Sequence, residues 1–399
     1  MSARRIAVAV PTVAVLALSL VACSQNGSVV PGCPPLGPMR QAGSLGQAPG
    51  DPAPATVGIS GLAVSRFDSG SADEQIAWAV GDRSANEIAG PDRVFLFGLD
   101  ARDGSLAIRY PLSPNDLQDD PVDPTTDTVT RVGQTPNPIP DLEELSIEYA
   151  EEDRGLLWLF DTGDNGDTRA NLNAYVVREP DLATAVGGGP SFLTSHPELD
   201  GAVTGPTLAV TRYPIRLMRD GVQVTSNVEA AFVDANAPSS GPAPVYLIAK
   251  SPVDGDGGRS AFPVFRFATR NTAASGLTND AVYVGTISLG QADLKVTAAS
   301  ILDDGSAFVI RGVNGGNGKP DLDVEGLWRR RKGATIEDVI AVHPTPQCRW
   351  SLNSAPDSSS EETIAFDLTG ARSTGFDGFV WTHDVRGASA PYFRAHRTG

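Results

Sequence analysis

Three glutamates stand at or next to the start of chain segments that resemble one another: Glu143, Glu229 and Glu362. If these segments are equivalent strands around one channel, their carboxylates converge on a single mouth. Converging carboxylates repel each other unless a cation lies between them. The pattern therefore predicts a cation site. The structural alternative is that each glutamate accepts hydrogen bonds from neighbouring backbone N–H groups.

A second acidic feature is the turn Asp161–Asn165, which reads Asp-Thr-Gly-Asp-Asn after an apolar run. Asp161 and Asp164 supply carboxylates there, and Asp82 lies in the matching turn of an earlier segment. Several hard oxygen ligands from different loops are what Ca²⁺ selects. Because Asp, Gly and Asn also favour turns without any metal, a plain tight turn is the alternative.

Other chemistry finds little support in the sequence. There is no Gly-x-Ser-x-Gly motif, which excludes the nucleophile elbow of α/β-hydrolases. The three cysteines and four histidines do not form a zinc pattern. The formal charge of −17 also disfavours nucleic-acid partners, because such proteins need a basic surface to neutralise phosphates.

The elements that must position these side chains are predicted to be strands. Short apolar or alternating runs recur between turn residues, for example Gln75–Gly81, Val228–Val233 and Asp338–Val342. No stretch of helical periodicity extends beyond two turns. Strands at this density, separated by polar turns, indicate an all-β fold.

An internal repeat narrows the fold class to a single β-propeller. Small-residue segments begin at Ser60, Glu143, Val228, Thr297 and Glu362. A second run with an aromatic residue follows each of them, at Trp78, Trp158, Tyr246, Phe308 and Trp381. Repeats of this kind are typical of propeller blades. We expect five or six blades of four-stranded antiparallel sheets around a central channel. Five repeats are visible, and a sixth blade, if there is one, lies within 100–140 or 180–207. The domain spans 57–394, and 395–399 form a C-terminal tail.

The N-terminal segment is predicted to be an export signal. Residues 1–22 combine two early arginines with an apolar run too short for a stable transmembrane helix. The run ends in Leu-Val-Ala-Cys23, which resembles the lipobox of bacterial lipoproteins. That resemblance implies cleavage before Cys23 and acylation of its thiol, with membrane lipid as a partner and an extracytoplasmic, lipid-anchored location at the cell membrane. An ordinary secretory signal is the alternative.

Residues 23–56 are rich in Gly, Pro, Ser and Ala and are expected to form a tether between the membrane and the folded domain. If Cys23 is acylated, Cys33 and Cys348 are the two remaining thiols. In an oxidising compartment a disulfide between them is favoured. Two unpaired thiols are the alternative.

Three motifs in one predicted blade resemble secreted bacterial β-propeller proteins known as phytase-like or esterase-like. They are Asp141–Ser146, Leu157–Asn165 with its Asp-x-Gly-Asp-Asn turn, and Ala174–Pro180. Weaker parallels extend the resemblance over about 57–394. It implies a propeller and a calcium requirement. It also implies basic residues at two strand ends, where Lys250 and Arg311 stand as candidate ligand-binding residues.

Three functions follow from these observations. The first is a calcium-binding protein at the cell surface that binds a small-molecule or protein ligand or acts as a scaffold. The second, which the resemblance implies, is a calcium-dependent phosphoester or ester hydrolase. The third is a non-catalytic module of an envelope complex. The candidate metal ligands are Asp82, Glu143, Asp161, Asp164, Glu229 and Glu362.

Overall fold

A computed structural model gives the fold of the chain, and the protein is all-β, as the sequence predicts. The structure describes residues 33, 35–37, 40–44, 59–68, 75–81, 94–113, 141–149, 155–164, 169, 171–180, 203–238, 240–254, 260–314, 323–351, 363–368, 378–382 and 391–396. Within these ranges the regular elements are strands, one short α-helix and one turn of 3-10 helix.

The strands of the first half of the chain are β1 (Arg40–Ser44), β2 (Ile59–Asp68), β3 (Gln75–Gly81), β4 (Phe95–Asp100), β5 (Leu106–Pro111), β6 (Leu142–Glu148), β7 (Leu156–Asp161), β8 (Leu172–Arg178), β9 (Val203–Thr204), β10 (Thr211–Arg219) and β11 (Val222–Val224). The second half contains β12 (Val228–Val233), β13 (Val245–Ala249), β14 (Val253–Asp254), β15 (Ser260–Phe267), β16 (Asn279–Ile287), β17 (Leu294–Ile301), β18 (Ala307–Asn314), β19 (Val324–Arg329), β20 (Cys348–Trp350), β21 (Ala365–Asp367), β22 (Gly378–Thr382) and β23 (Pro391–His396). The 3-10 turn is Ala273–Ser275 and the helix, α1, is Ile336–Val342.

Most strands pair antiparallel with the next strand in the chain. One sheet has the order β2-β3-β4-β5, with β9 added parallel to β5. Another has the order β17-β18-β19-β20. A third has the order β21-β22-β23-β1, so the N-terminal strand completes the sheet that the C-terminal strands begin. Part of the segment expected to be a tether is therefore a strand.

The largest sheet combines two antiparallel four-stranded units. They are β6-β7-β8-β10 and β12-β13-β15-β16, joined where β10 pairs parallel with β16. Ile215 lies opposite Asn279 in that pairing. The end strands β6 and β12 also contact each other, so this eight-strand path nearly closes on itself like a barrel.

Among the described residues, the two halves of the largest sheet and the three other sheets make five units, and their first strands contact one another in chain order. β2 contacts β6, β6 contacts β12, β12 contacts β17, and β17 contacts β21. The circle is completed by contacts between β21 and β2. Strands β6 and β12 are buried along their whole length, as expected for strands covered on both faces. We call this arrangement the strand ring.

Hydrophobic clusters fill the spaces between neighbouring units. Trp78 of the first unit packs with Leu145 and Tyr175 of the second. Phe232 of the third unit stacks on Phe308 of the fourth, with ring centroids 5.4 Å apart. Each cluster of the described residues joins one unit to the next, and one joins the last unit to the first. The aromatic residues of the second strands therefore hold the units side by side.

The predicted strand at Asp338–Val342 is wrong, because this segment belongs to α1. Thr335 caps the helix: its side chain accepts from the Asp338 N–H at 3.1 Å, and Asp338 accepts from the Thr335 N–H at 2.8 Å. Ile336, Val339 and Ile340 face the core at helical spacing. The capping box Thr-x-x-Asp favours the start of a helix here, against the strand preference of the β-branched residues.

Candidate ligand site at one end of the strand ring

The first strands of four units carry a bulge at the same place. One residue of each is skipped where its pairing with the second strand shifts: Ser60, Glu143, Glu229 and Thr297. Bulges redirect side chains and are common beside functional sites. Glu143 and Glu229 are therefore equivalent positions in neighbouring strands, and the third repeat is in register at Glu229 rather than at Val228.

Two carboxylates lie against Gly163, in the turn after β7. A Cβ atom on Gly163 would be 2.2 Å from Oε1 of Glu143 and 2.4 Å from Oδ2 of Asp141. Only glycine leaves room for both. The Gly163 N–H donates to the carbonyl oxygen of Asp141 at 3.3 Å, which holds the turn beside the start of β6. Two negative groups thus share one small space, and a cation or a proton between them would relieve their repulsion.

Glu229 is buried beside a lysine. The Lys250 ammonium contacts its Oε1 atom, and Nδ2 of Asn227 donates to the same oxygen at 3.0 Å. Burial raises the pKa of Glu229, while Lys250 and Asn227 lower it. The Glu229 side chain is 5% exposed and that of Lys250 19%. Lys250 is therefore the counterion of the buried Glu229 side chain.

Asp161 stabilises the turn after β7 through hydrogen bonds to its carboxylate. Its Oδ1 atom accepts from the Asp141 N–H at 2.9 Å and from Nη1 of Arg169 at 2.9 Å. Its Oδ2 atom lies 3.4 Å from the Tyr175 hydroxyl, which donates to it. Both oxygens of Asp161 are thus engaged by protein groups, and its contacts are those of a turn-stabilising residue.

The same turn is bound to the start of β12. The Thr162 hydroxyl donates to the carbonyl oxygen of Val228 at 2.7 Å, and the Val228 N–H donates to the Thr162 carbonyl at 3.3 Å. The Asp164 N–H donates to Oδ1 of Asn227 at 2.8 Å. These bonds bring two units together at one end of the strand ring. We call the group formed by Asp141, Glu143, Asp164, Asn227, Glu229 and Lys250 the acidic mouth.

Arg311 occupies a different environment from Lys250. Its guanidinium is fully buried, 3.3 Å from Oδ2 of Asp323 and 3.6 Å from Oε1 of Glu325. It also lies over the Trp381 ring, 5.5 Å from the centroid. Arg311 is thus buried against Trp381 of the last unit, whereas Lys250 is part of the acidic mouth.

Sequence reasoning did not assign Asp141, Asn227 or Arg169 to the site. A signal was available for two of them, since Asp141 and Asn227 each stand two residues before a bulge glutamate. Arg169 follows the turn without any recurring pattern around it. Its role is visible only from its bond to Asp161.

The acidic mouth matches a calcium site in part. Asp141 and Glu143 fit a hard cation, because their oxygens converge over Gly163. Asp161 and Glu229 fit less well, because Arg169 and Lys250 already neutralise them. The described part of the chain contains no group of three or more His, Cys, Asp or Glu residues placed to hold a metal. Three predicted residues lie outside the described residues: Cys23, Asp82 and Glu362.

Cys33 and Cys348 are joined by a disulfide, with their Cα atoms 5.4 Å apart. Both lie in the cluster that packs the fourth unit against the last, together with Trp350 and Phe379. Cys348 belongs to β20, the outer strand of the fourth unit. The N-terminal segment is therefore covalently attached to the fourth unit before β1 enters the last sheet.

Among the described residues, no helix has the length and apolar character needed to cross a membrane. No protein-family model matches this chain, and neither does any curated protein.

Proposed function

We propose that the chain is a five-bladed β-propeller that binds a ligand at the acidic mouth, on the outer face of the cell membrane. Three observations support the propeller: five four-stranded units, a strand ring of their first strands, and a hydrophobic cluster between each pair of neighbours. In this reading, β1 closes the last blade against β23. An experimental structure would test the blade number directly.

The observation that carries the binding function is the convergence of charged groups from two blades. Glu143 and Glu229 occupy equivalent bulges, and Asp141 and Lys250 lie with them at the same end of the ring. Concave sites with a few convergent polar groups, such as the mouths of β-barrels, are common places for a ligand. Attachment through acylated Cys23 would present this mouth outside the cell.

Calcium is the proposed first occupant of the acidic mouth. The paired oxygens of Asp141 and Glu143 would be two of its ligands, and a bound cation would relieve their repulsion. When bound, such an ion could hold an anionic group of the organic ligand. The support is the shared space over Gly163, which a Cβ atom would fill.

The test is a thermal melt of the mature chain with Ca²⁺ and with chelator. Calcium at a hundredfold excess over Kd should stabilise the fold by about 2.7 kcal/mol. Glu143→Gln should remove most of that gain and leave the calcium-free melt unchanged or slightly higher, because one repelling charge is lost. Asp220→Asn, at an exposed turn position, is the matched control and should keep the full gain. Absence of any shift at millimolar calcium would refute the calcium site.

A phosphoester or ester hydrolase is the second candidate. The observation that favours it is the pair of cations beside the carboxylates, Lys250 at Glu229 and Arg169 at Asp161. Cations near a metal can stabilise the charge that develops on a phosphoryl oxygen. A screen of generic phosphoesters and esters separates the two functions. Calcium-dependent turnover that Glu143→Gln abolishes would establish the hydrolase, while calcium binding without turnover would establish the binding protein.

A further inference from the structure

The chain enters the strand ring at the end opposite the acidic mouth. The mouth lies where the first strands begin, since Glu143 and Glu229 are each the second residue of their strand. In the last unit, the N–H of Gly37, shortly before β1, donates to the carbonyl oxygen of His396 at 2.7 Å. Through Gly378, His396 is aligned with the final residue of β21. We call this side of the ring, where the first strands end, the entry face.

The disulfide lies on the same side. Cys33 is bonded to Cys348, which pairs with Leu327 of β19. Leu327 is aligned through β18 with Ser300, one residue before the end of β17. The N-terminal segment is therefore fixed at the entry face twice, by a covalent bond to the fourth unit and by the start of β1 in the last unit.

The chain between this attachment and the proposed lipid anchor is short. Cys33 is ten residues after Cys23, and ten residues span at most about 36 Å even when fully extended. An acyl anchor on Cys23 therefore holds Cys33, and with it the entry face of the fourth unit, within that distance of the membrane surface.

A run of four basic residues, 329–332, lies on the entry face and is the longest such run in the chain. It begins at the last residue of β19. The Arg329 N–H donates to the side-chain oxygen of Gln347, the residue before Cys348. The basic run therefore starts beside the point at which the disulfide attaches the N-terminal segment.

Contacts with two neighbouring hairpins hold the basic run in place. The Arg330 N–H donates to the carbonyl oxygen of Ser306, in the hairpin before β18, at 2.7 Å. The Arg330 guanidinium contacts the carboxylate of Asp234, a fully buried residue of the third unit. The second residue of the run thus fixes the backbone from which its neighbours extend.

The exposed charges differ in sign between the two ends of the ring. The acidic mouth combines several carboxylates with Lys250. Among the described residues on the entry face of the fourth unit, the exposed charged side chains are three basic and two acidic ones: Arg329, Arg331, Lys332, Asp304 and Asp338. This local excess of positive charge lies in a chain of net charge −17. A negatively charged membrane surface therefore attracts the basic run and repels the mouth.

We propose that the protein docks through its entry face on anionic lipid headgroups, with residues 329–332 against the phosphate groups and the acidic mouth turned away from the membrane. The docking rests on the proposed attachment through Cys23, because a basic patch gives stable membrane binding only together with an acyl anchor. A ligand then reaches the acidic mouth from the side away from the bilayer.

Two exposed lysines at opposite ends of the fourth unit report this orientation. Lys332 belongs to the basic run. Lys295 lies near the start of β17, where the N–H of the next residue, Val296, donates to the carbonyl oxygen of Lys250 at 3.1 Å. Lys295 therefore marks the end of the ring that carries the acidic mouth.

The experiment couples the mature chain through Cys23 to a maleimide lipid, in vesicles of phosphatidylglycerol and phosphatidylcholine. The Cys33–Cys348 bond leaves Cys23 as the thiol for coupling. A water-soluble acetylating reagent then modifies the lysines, and mass spectrometry should show Lys332 protected and Lys295 acetylated at the rate of the uncoupled chain. Vesicles of phosphatidylcholine alone, or about 1 M salt, where the Debye length is about 3 Å, should remove the protection.

Three outcomes would overturn the proposal. The first is acetylation of Lys332 at its uncoupled rate on the anionic vesicles. The second is protection of Lys295 instead of Lys332. The third is protection of Lys332 that persists on phosphatidylcholine and in high salt, which would show shielding by the tether without any contact to anionic headgroups.

A matched pair of double variants tests the role of charge. Arg329→Gln/Arg331→Gln should restore acetylation of Lys332 on the anionic vesicles, because each basic residue near such a surface contributes about fivefold to the docking equilibrium. Arg329→Lys/Arg331→Lys keeps the charges and should keep the protection. Equal protection in both would show that the basic run does not dock. Since the lipid is attached chemically, these results do not depend on natural acylation of Cys23, which the mass of the chain isolated from membranes tests separately.

Discussion

The carboxyl group of Glu144 accepts a hydrogen bond from the backbone N–H of Ala299, which lies 155 residues later in the chain, at 2.8 Å. Its other oxygen accepts from the Leu145 N–H at 2.9 Å. The backbone N–H groups of Leu62 and Ala231 also stabilise its charged form. These four groups belong to β2, β6, β12 and β17. One fully buried side chain thus ties four of the five first strands together at the centre of the ring.

Glu144 should make stability depend on pH. Burial raises the pKa of Glu144 well above its ordinary value of 4.5, although the backbone N–H groups lower it. The folded state therefore holds this proton more tightly than the unfolded state does. Its contribution to stability is fully present below about pH 4.5 and is lost as pH rises through the folded pKa.

Urea unfolding of the wild type and of Glu144→Gln over a pH series measures that contribution. Because glutamine does not titrate, the variant should gain stability relative to the wild type as pH rises from 4.5. The comparison also separates Glu144 from Glu229 and Asp303, whose pKa values are raised too and which both proteins retain. A difference between the two proteins that does not change with pH would contradict the assignment.

Gly61 should be intolerant of any side chain. A Cβ atom there would lie 2.6 Å from the carbonyl carbon of Glu144 and 2.6 Å from the nitrogen of Leu145. Since both are backbone atoms, β2 and β6 would have to move apart. We expect Gly61→Ala to lower the free energy of unfolding by about 1–3 kcal/mol. Gly241→Ala, where a Cβ atom would meet nothing within 4 Å, should change it by less than about 0.5 kcal/mol.

Removing Lys250 from its ion pair with Glu229 should cost far more stability than removing one partner of an exposed ion pair. Lys250→Met leaves Glu229 buried without its counterion, which should cost about 2–4 kcal/mol. The double variant Lys250→Met/Glu229→Gln should recover part of that loss. Arg216 and Asp280 form a matched exposed pair, with side chains 41% and 44% exposed, and Arg216→Met should cost at most about 1 kcal/mol. Equal losses at the two pairs would show that Glu229 without Lys250 is no more costly than an exposed charge without its partner.

The disulfide should stabilise the contact between the fourth and last units. Cys33 and Cys348 are separated by 315 residues, so the bond constrains the unfolded chain strongly. Replacing both by serine should lower the free energy of unfolding by about 2–4 kcal/mol. A reducing agent should produce the same loss in the wild type and none in the double variant. An unchanged unfolding midpoint in the double variant would show that noncovalent packing alone holds the N-terminal segment.

The amino-acid sequence by itself determined the local structure of this protein. Alternation of small and apolar residues between turn formers predicted an all-β chain, and β3 and β12 have the predicted bounds. The recurring acidic residues identified Glu143 and Glu229 as related positions. These features depend on neighbours along the chain, which a single sequence displays. The strand predicted at Asp338–Val342 is wrong, because the capping box of Thr335 and Asp338, also a local signal, starts a helix there.

Tertiary structure decided which distant groups meet. The bulge in β12 gives Glu229 its position in the sheet. The turn after β7 contacts the start of β12 through the hydrogen bond from the Thr162 hydroxyl to the Val228 carbonyl oxygen. Nothing near Glu144 in the sequence indicates that its carboxyl group would reach Ala299. A buried carboxyl group is tolerated only where hydrogen-bond partners converge on it, and that convergence depends on the packing of strands from four units. The pairing of Lys250 with Glu229, the burial of Arg311 and the use of β1 in the last sheet arise in the same way.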